Sequence, residues 1–195
     1  MLELLNQCAV SFDLPILDWI QANLQCGFLD FLMPIITLFG DGGIFWIGWA
    51  VVLLCIPKTR KIGLGMLFAL VMGLLVCNVT LKPLVARPRP YDFQWEQFRV
   101  QIPLLIDGMH DFSFPSGHTI ASFEAATVLL KNSKKMGIPA MILAVLIAFS
   151  RLYLYVHYPT DVIFSVFAGI LFAFIGDALA KKVSFSLGKG KYLAK

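Results

Sequence analysis

The sequence predicts an all-α polytopic membrane protein, a bundle of about six transmembrane helices preceded by an amphipathic helix at the membrane interface. Of the 195 residues, 58% are hydrophobic and 14% are charged, whereas soluble domains have roughly 45–50% and 25%. The mean hydropathy is +0.79. Several apolar runs are long enough to cross the hydrocarbon core, and turns or charge clusters separate them. We therefore expect one integral membrane domain, residues 1–195, in the plasma membrane.

The predicted elements follow in order along the chain. Residues 1–26 should hold the interfacial helix, because apolar residues recur at helical spacing against acidic and amide side chains over residues 13–24. A cleaved signal peptide is not expected, since no lysine or arginine precedes Lys58. The predicted spans cover residues 28–39, 44–56, 62–81, 118–130, 138–156 and 162–179.

Lysine and arginine residues predict the orientation of this bundle. One group lies between the second and third spans, another between the fourth and fifth, and a third follows the sixth. These groups are Lys58, Arg60 and Lys61; Lys131, Lys134 and Lys135; and Lys181, Lys182, Lys189, Lys191 and Lys195. With six spans all three fall on one side, which the positive-inside rule makes cytoplasmic. Both termini are then expected in the cytoplasm, and the loop of residues 83–116 outside.

Candidate site residues occupy three stretches, each at the outer end of a predicted span. The first contains Lys82 and Arg89, and the prolines around Arg89 stiffen the backbone that carries its guanidinium. Taken alone, these residues could equally be interfacial cations that reach toward lipid headgroups.

The second stretch, Pro115-Ser116-Gly117-His118, has the composition of a helix start. Ser116 is a candidate N-cap, and Gly117 would let a ligand approach backbone N–H groups, which bind anions at a helix N-terminus. His118 could act as a general acid or base. The alternative is a plain cap followed by a buried structural histidine.

The third stretch contains Ser150-Arg151 and, further on, His157 and Asp161. The two last residues are four apart, so the carboxylate can reach back to the imidazole and fix its tautomer. The remaining ring nitrogen then becomes a better nucleophile. Alternatively, the pair only caps the sixth helix. The predicted topology brings all three stretches to the outer surface, where they supply what a phosphate-handling site requires.

The spacing of these residues resembles a known signature. The chain contains K-x6-R-P, P-S-G-H and S-R-x5-H-x3-D in order, and this pattern is similar to that of the type-2 phosphatidic acid phosphatase superfamily. That superfamily also includes vanadium haloperoxidases and glucose-6-phosphatase-like enzymes. All of the signature residues are present, and the resemblance extends from the third predicted span to the sixth.

The resemblance implies a role for each matching residue. His157 would form a phosphohistidine, Asp161 would orient it, and His118 would protonate the leaving oxygen and then activate water. The phosphoryl oxygens would be held by Lys82, Arg89, Ser116, Gly117 and Arg151. No metal or other cofactor is then implied. Arg87 is left as an auxiliary phosphate contact, and neither His110 nor the intramembrane Glu124 is expected to be catalytic.

A site at the outer membrane surface suits a lipid phosphate as partner, and the charge of +4 gives no indication of nucleic-acid binding. Among the small members of the superfamily that this chain resembles, the task that best fits its length, six predicted spans and topology is hydrolysis of undecaprenyl diphosphate to undecaprenyl phosphate. Phosphatidic acid and phosphatidylglycerol phosphate are the alternatives.

Two other classes stay open: a metal-dependent membrane hydrolase with histidine ligands, and a non-enzymatic lipid-phosphate carrier. A haloperoxidase is disfavoured because those relatives are soluble. The four cysteines form no Cys-x-x-Cys pair, so neither a disulfide nor a metal site is predicted.

Overall fold

The computed structural model describes the backbone of residues 2–193 and the side chains of residues 3–183, and this part of the chain is helical without strands. The α-helices are α1 (Leu2–Cys8), α2 (Leu14–Leu24), α3 (Gly27–Leu38), α4 (Ile44–Cys55), α5 (Arg60–Gly73), α6 (Lys82–Val85), α7 (Pro90–Phe98), α8 (Gly117–Asn132), α9 (Lys134–Tyr153) and α10 (Pro159–Leu193). Two π-helical segments, Ala9–Asp13 and Leu74–Leu81, join α1 to α2 and α5 to α6. The side chains of Lys189 and Lys191, and all of Lys195, lie outside the described residues.

Four helices, α5, α8, α9 and α10, form the centre of the bundle. α8 packs against both α9 and α10, and α10 packs along α5. α8 is central because nearly every residue from Thr119 to Leu129 is buried. The seam between α5 and α10 is close, since a Cβ atom at Gly176 would lie 2.6 Å from the carbonyl oxygen of Gly65. Glycine at this position therefore permits the two backbones to touch, as small residues do in membrane bundles.

Large apolar side chains cover the outside of the bundle. Phe167, Ile142 and Val71 are 69%, 58% and 52% exposed, which is expected for surfaces that face lipid. Within the described part of the chain, four helical stretches are long and apolar enough to cross a membrane: Gly27–Cys55, Arg60–Phe98, Lys134–Tyr153 and Pro159–Val183. The predicted all-α membrane bundle is confirmed, and the predicted count of six spans is not.

The N-terminal segment, residues 2–24, lies at the end of the bundle that carries the candidate site. Asp13 accepts a hydrogen bond from the backbone N–H of Thr160 at 2.9 Å, in the first turn of α10. Asp18 accepts one from the hydroxyl of Tyr155 at 2.6 Å, in the loop after α9. The buried face of the segment packs against the rest of the protein. Ala9, Leu14 and Leu17 form one hydrophobic cluster with Phe93, Tyr155 and Tyr158.

Helix α3 stays in the same half of the bundle. Asp30, near its start, accepts a hydrogen bond from the hydroxyl of Tyr153, and Thr37, near its end, accepts one from Arg151. Both partners lie in the last turn of α9. The prediction that residues 28–39 form a complete span is therefore wrong.

These contacts place the N-terminal segment relative to the candidate site. Because α3 does not cross the bundle, the N-terminal segment lies on the side of the candidate site. The far end of α8 lies at the opposite end of the bundle, where Asn132 bonds Asp177 of α10 at 3.0 Å. The N-terminal segment and the far end of α8 thus lie at opposite ends of the bundle, and the side of the membrane on which each terminus lies stays a prediction. Among the described side chains, Lys131 and Lys181 share that far end, where both bond Asp177.

Candidate active site

The predicted site residues surround one cavity of about 470 Å³. Its polar end is lined by residues from all three sequence stretches, and the lining continues along an apolar wall from α4, α5 and the π-helical segment after α5. The polar end includes Lys82, Arg89, Gly117, His118 and His157 together with Asn78 and Asp111, and the wall includes Ile47, Leu67, Val71 and Leu74. The structure therefore brings the three stretches together. Ser116, Arg151 and Asp161 are fully buried directly behind this lining.

His157 lies in the loop between α9 and α10, whose chain turns sharply at Tyr155 with a φ of 59°. Its Nδ1 lies 3.6 Å from Oδ2 of Asp161 and has no hydrogen-bond partner. Its Nε2 faces the cavity, 3.4 Å from Nη1 of Arg89. A small shift of the ring would therefore let Nδ1–H donate to Asp161 and leave the lone pair of Nε2 directed at a ligand.

The protonation state of His157 follows from its surroundings. Burial lowers the pKa of its imidazole well below the ordinary value near 6.5, and the cations Arg89, Arg151 and Lys82 lower it further. The ring is therefore neutral at neutral pH. A neutral imidazole keeps the electron pair that a nucleophile needs.

Two cations of the cavity are held by a carboxylate that sequence reasoning missed. Nζ of Lys82 lies 2.6 Å from Oδ2 of Asp111, and Nη2 of Arg89 bonds Oδ1 of the same residue. Partial burial raises the pKa of Asp111, but the hydrogen bonds and charges of both cations outweigh it and bring the pKa to about 2. In the sequence, Asp111 is marked only by its position next to His110. Hydrophobic periodicity does not predict the path of this loop.

His118 opens α8 and contacts the turn between α3 and α4. Its Nε2 lies 2.7 Å from Oδ1 of Asp41. The turn can approach this closely because a Cβ atom at Gly40 would lie only 2.6 Å from Cδ2 of the His118 ring. In the sequence, Gly40-Asp41-Gly42-Gly43 predicts only a turn between the first two apolar runs. The signal that could have found Asp41 is a carboxylate between two apolar runs at the predicted outer surface.

The remaining predicted residues lie close behind the cavity. Ser116 occupies the N-cap position of α8, as expected, but its side chain makes no capping bond. Instead its backbone N–H donates to Oγ of Ser165 at 2.9 Å. Arg151 is fully buried and donates to Thr37 and to the sulfur of Met109 at 3.2 Å. Its charge faces the cavity from behind rather than from the surface.

Three other residues that the sequence singled out lie outside the polar end of the cavity. Arg87 is completely buried, and its terminal nitrogens bond Asp13 and Asp161, so the expectation that it contacts phosphate is wrong. His110 is exposed in the loop. Glu124 lines the inner end of the cavity and packs against Gly73, where a Cβ atom would lie 2.2 Å from Oε1.

Asp111 offers a direct test of this geometry. Its carboxylate competes with a phosphate for Lys82 and Arg89, and its side chain is 54% exposed. We expect Asp111→Asn to strengthen inhibition by inorganic phosphate about fivefold, since an exposed ion pair is worth up to about 1 kcal/mol. Because the pKa of Asp111 is about 2, this carboxylate stays ionised between about pH 5 and 8. The difference in phosphate inhibition between the wild type and Asp111→Asn should therefore stay constant over that range. Asp107→Asn, an exposed carboxylate in the same loop, is the control. Weaker inhibition in Asp111→Asn would mean that the carboxylate is needed to hold the cations in place.

Known proteins share both the sequence and the fold of this chain. The PAP2 superfamily matches residues 62–183. An undecaprenyl-diphosphatase of Sulfolobus acidocaldarius is 34% identical over 167 residues, covering 85% of this chain and 77% of the relative. Phosphatidylglycerophosphatase B of Bacillus subtilis is 32% identical over 197 residues, covering 93% and 84%. The crystal structure of Aquifex aeolicus LpxE superposes with a TM-score of 0.72 at 26% identity, covering 85% of this chain and 94% of that structure.

The fold and the cavity define a class of protein, a multi-pass membrane enzyme built for phosphoryl transfer. The chain belongs to the PAP2 superfamily. It is a metal-independent membrane phosphatase, as its resemblance to the type-2 phosphatidic acid phosphatases implied.

Proposed function

We propose that this phosphatase hydrolyses undecaprenyl diphosphate to undecaprenyl phosphate and inorganic phosphate. The observation that carries the proposal is the shape of the cavity, in which a cationic end with two imidazoles continues into an apolar wall. An undecaprenyl-diphosphatase is among the similar relatives, at 34% identity. A polyprenyl diphosphate matches the cavity because its headgroup carries several negative charges and its tail has no polar group.

Headgroup and tail would occupy different parts of the cavity. Lys82 and Arg89 would hold the oxygens of the terminal phosphate, with backbone N–H groups at Gly117 and the charge of Arg151 behind them. The tail would lie along Ile47, Leu67, Val71 and Leu74. Fixed cations and N–H donors stabilise the charge on a transferring phosphoryl group without rearranging during the reaction.

In the first chemical step, Nε2 of His157 attacks the terminal phosphorus. The bond from phosphorus to the bridging oxygen breaks. His118, which enters this step protonated beside the carboxylate of Asp41 and the bound diphosphate, gives a proton to that oxygen, which leaves as the lipid monophosphate. Nδ1–H of His157 donates to Asp161 throughout, so the positive charge that develops on the ring faces a carboxylate. The product of this step is a phosphohistidine.

In the second step, water attacks the phosphorus of the phosphohistidine. His118, now neutral, accepts a proton from the water, and the bond from phosphorus to Nε2 of His157 breaks. Inorganic phosphate leaves, and both imidazoles return to their starting protonation states. The hydrogen bond from His118 to Asp41 orients the ring between the two steps.

The site faces the extracytoplasmic side in this proposal. Lys131 and Lys181, which bond Asp177, lie at the end of the bundle away from the cavity, and the positive-inside rule would make that end cytoplasmic. The end of α10 is then cytoplasmic, whereas the N-terminal segment lies outside with the site.

A glycerolipid phosphate is the second candidate substrate. The observation that favours it is the phosphatidylglycerophosphatase B relative, which aligns with 93% of this chain. The same headgroup contacts would serve either lipid, so the tail region decides between them.

The test is a panel of lipid phosphates given to the purified protein in detergent. We expect kcat/KM for a polyprenyl diphosphate to exceed that for phosphatidic acid and phosphatidylglycerol phosphate by about tenfold or more, which corresponds to about 1.4 kcal/mol of differential transition-state binding. His157→Ala is the blank. A preference of that size for either glycerolipid would overturn the proposed substrate and support the second candidate.

A further inference from the structure

Arg87 joins two buried carboxylates behind the cavity. Its Nη1 lies 2.5 Å from Oδ1 of Asp161, and its Nη2 lies 2.7 Å from Oδ2 of Asp13. All three side chains have no exposure to solvent. The guanidinium also stacks on the ring of Tyr158, 3.6 Å from the ring centroid. The chain of contacts runs from the N-terminal segment through Arg87 to the carboxylate beside His157.

This geometry fixes the orientation of Asp161. One carboxylate oxygen accepts from Arg87, and the other accepts from the backbone N–H of Tyr158 at 3.1 Å and faces Nδ1 of His157. A buried carboxylate without such partners would take up a proton, because desolvation disfavours its charge. Arg87 therefore keeps Asp161 ionised and aimed at the imidazole.

Asp13 controls how strongly Arg87 acts on Asp161. Its Oδ2 bonds both Arg87 and the hydroxyl of Thr160 at 2.8 Å, which ties the N-terminal segment to the start of α10. One guanidinium thus serves two carboxylates. If Asp13 lost its charge, the whole charge of Arg87 would act on Asp161, and that carboxylate would become a weaker acceptor for His157.

We propose that Arg87 and Asp13 are positioning residues for the pair His157 and Asp161, and that the N-terminal segment is in this way a part of the active site. The inference rests on the catalytic roles proposed above for that pair. The charged and titratable groups that face Asp161 come from three elements, namely Asp13 of the N-terminal segment, Arg87 of the loop after α6, and His157 and Tyr158 of the loop before α10.

The test is the pH dependence of kcat/KM, whose acid limb reports groups of the free enzyme that must be deprotonated. Arg87→Gln leaves two buried carboxylates without their cation, so we expect the acid limb to move up by about 1 pH unit or more. We also expect kcat at pH 7 to fall about 100-fold. Asp13→Asn should move the acid limb in the opposite direction, to lower pH, and should lower kcat about tenfold with little change in KM.

Asp18→Asn is the matched control. Asp18 is a carboxylate of the same segment and also bonds the catalytic loop, through the hydroxyl of Tyr155, but it does not contact Arg87. Its loss should lower the thermal midpoint without moving the acid limb. The double variant Asp13→Asn with Arg87→Gln has one uncompensated carboxylate fewer than Arg87→Gln, so it should regain part of the lost kcat/KM.

Two results would overturn the inference: acid limbs that move in the same direction in Arg87→Gln and Asp13→Asn, or limbs that do not move at all. If Arg87→Gln does not fold, Arg87→Lys takes its place, and the acid limb of its kcat/KM profile is compared with that of Asp13→Asn. An unshifted acid limb in Asp13→Asn would contradict the role of Asp13. The proposed function would fail on a different result, namely an active His157→Ala variant. That result would mean that His157 is not the nucleophile, so there would be no catalytic pair for Arg87 and Asp13 to position. An inactive His157→Ala with unmoved acid limbs would refute the positioning role alone.

Discussion

Replacing His157 by alanine will lower phosphate release by about 10³-fold or more, because the variant has no nitrogen to attack phosphorus. Binding should survive, since Lys82, Arg89 and the apolar wall stay in place. The measurement is single-turnover phosphate release beside binding of a lipid phosphate labelled in its tail. Near-normal binding without release is the expected pair of results, and it separates an enzyme from a lipid-phosphate carrier.

His110→Ala is the control for this variant. It removes the same side chain from the loop between α7 and α8, where His110 is exposed, and it should leave release unchanged. Adding a chelator tests the metal-dependent alternative of the sequence analysis. Activity that survives the chelator and is inhibited by vanadate agrees with a histidine nucleophile. Turnover that persists in His157→Ala would end the assignment of this residue.

His118→Ala will separate the two chemical steps. With a lipid leaving group, both steps lose their proton donor or acceptor, and turnover should fall by about 10²–10⁴-fold. With a phosphate ester whose leaving group needs no proton, such as a nitrophenyl phosphate, the first step recovers while attack by water stays slow. We therefore expect a burst of released nitrophenol and an acid-labile phosphate on the protein.

Asp41→Asn is the matched variant for His118, because it removes the partner 2.7 Å from Nε2 and keeps the imidazole. Its effect should be smaller, about tenfold, since the ring loses its orientation but not its chemistry. If His118→Ala shows no burst with the activated ester, the histidine does not act in the second step. Labelling that also appears in His157→Ala would point to another nucleophile.

The polar end of the cavity could be predicted from the sequence because each motif marks a helix end. A proline-stiffened stretch after an apolar span, a serine and glycine before another, and a histidine and aspartate four apart are local signals. Once the spans are drawn, topology alone brings them to one surface. Asp111 and Asp41 could not be found in this way, because each belongs to a loop whose path depends on contacts far away in the sequence.

Arg87 and α3 show a different difficulty. Apart from the K-x6-R-P spacing, Arg87 and Arg89 look alike in the sequence, since both precede a proline in the same stretch. Yet Arg87 is buried between carboxylates, whereas Arg89 lines the cavity. The apolar run of residues 28–39 reads as a short span. Only the bonds from Asp30 and Thr37 to the last turn of α9 reveal that it does not cross.

The close seam between α5 and α10 determines how a lipid can leave. Because the backbones touch at Gly65 and Gly176, a hydrocarbon chain cannot pass between α5 and α10 at that point. Ile47 and Val71 line the cavity and are 42% and 52% exposed, so the apolar wall also faces the surrounding acyl chains. We therefore expect a lipid product to leave sideways within its own leaflet, while only the freed phosphate diffuses away through water.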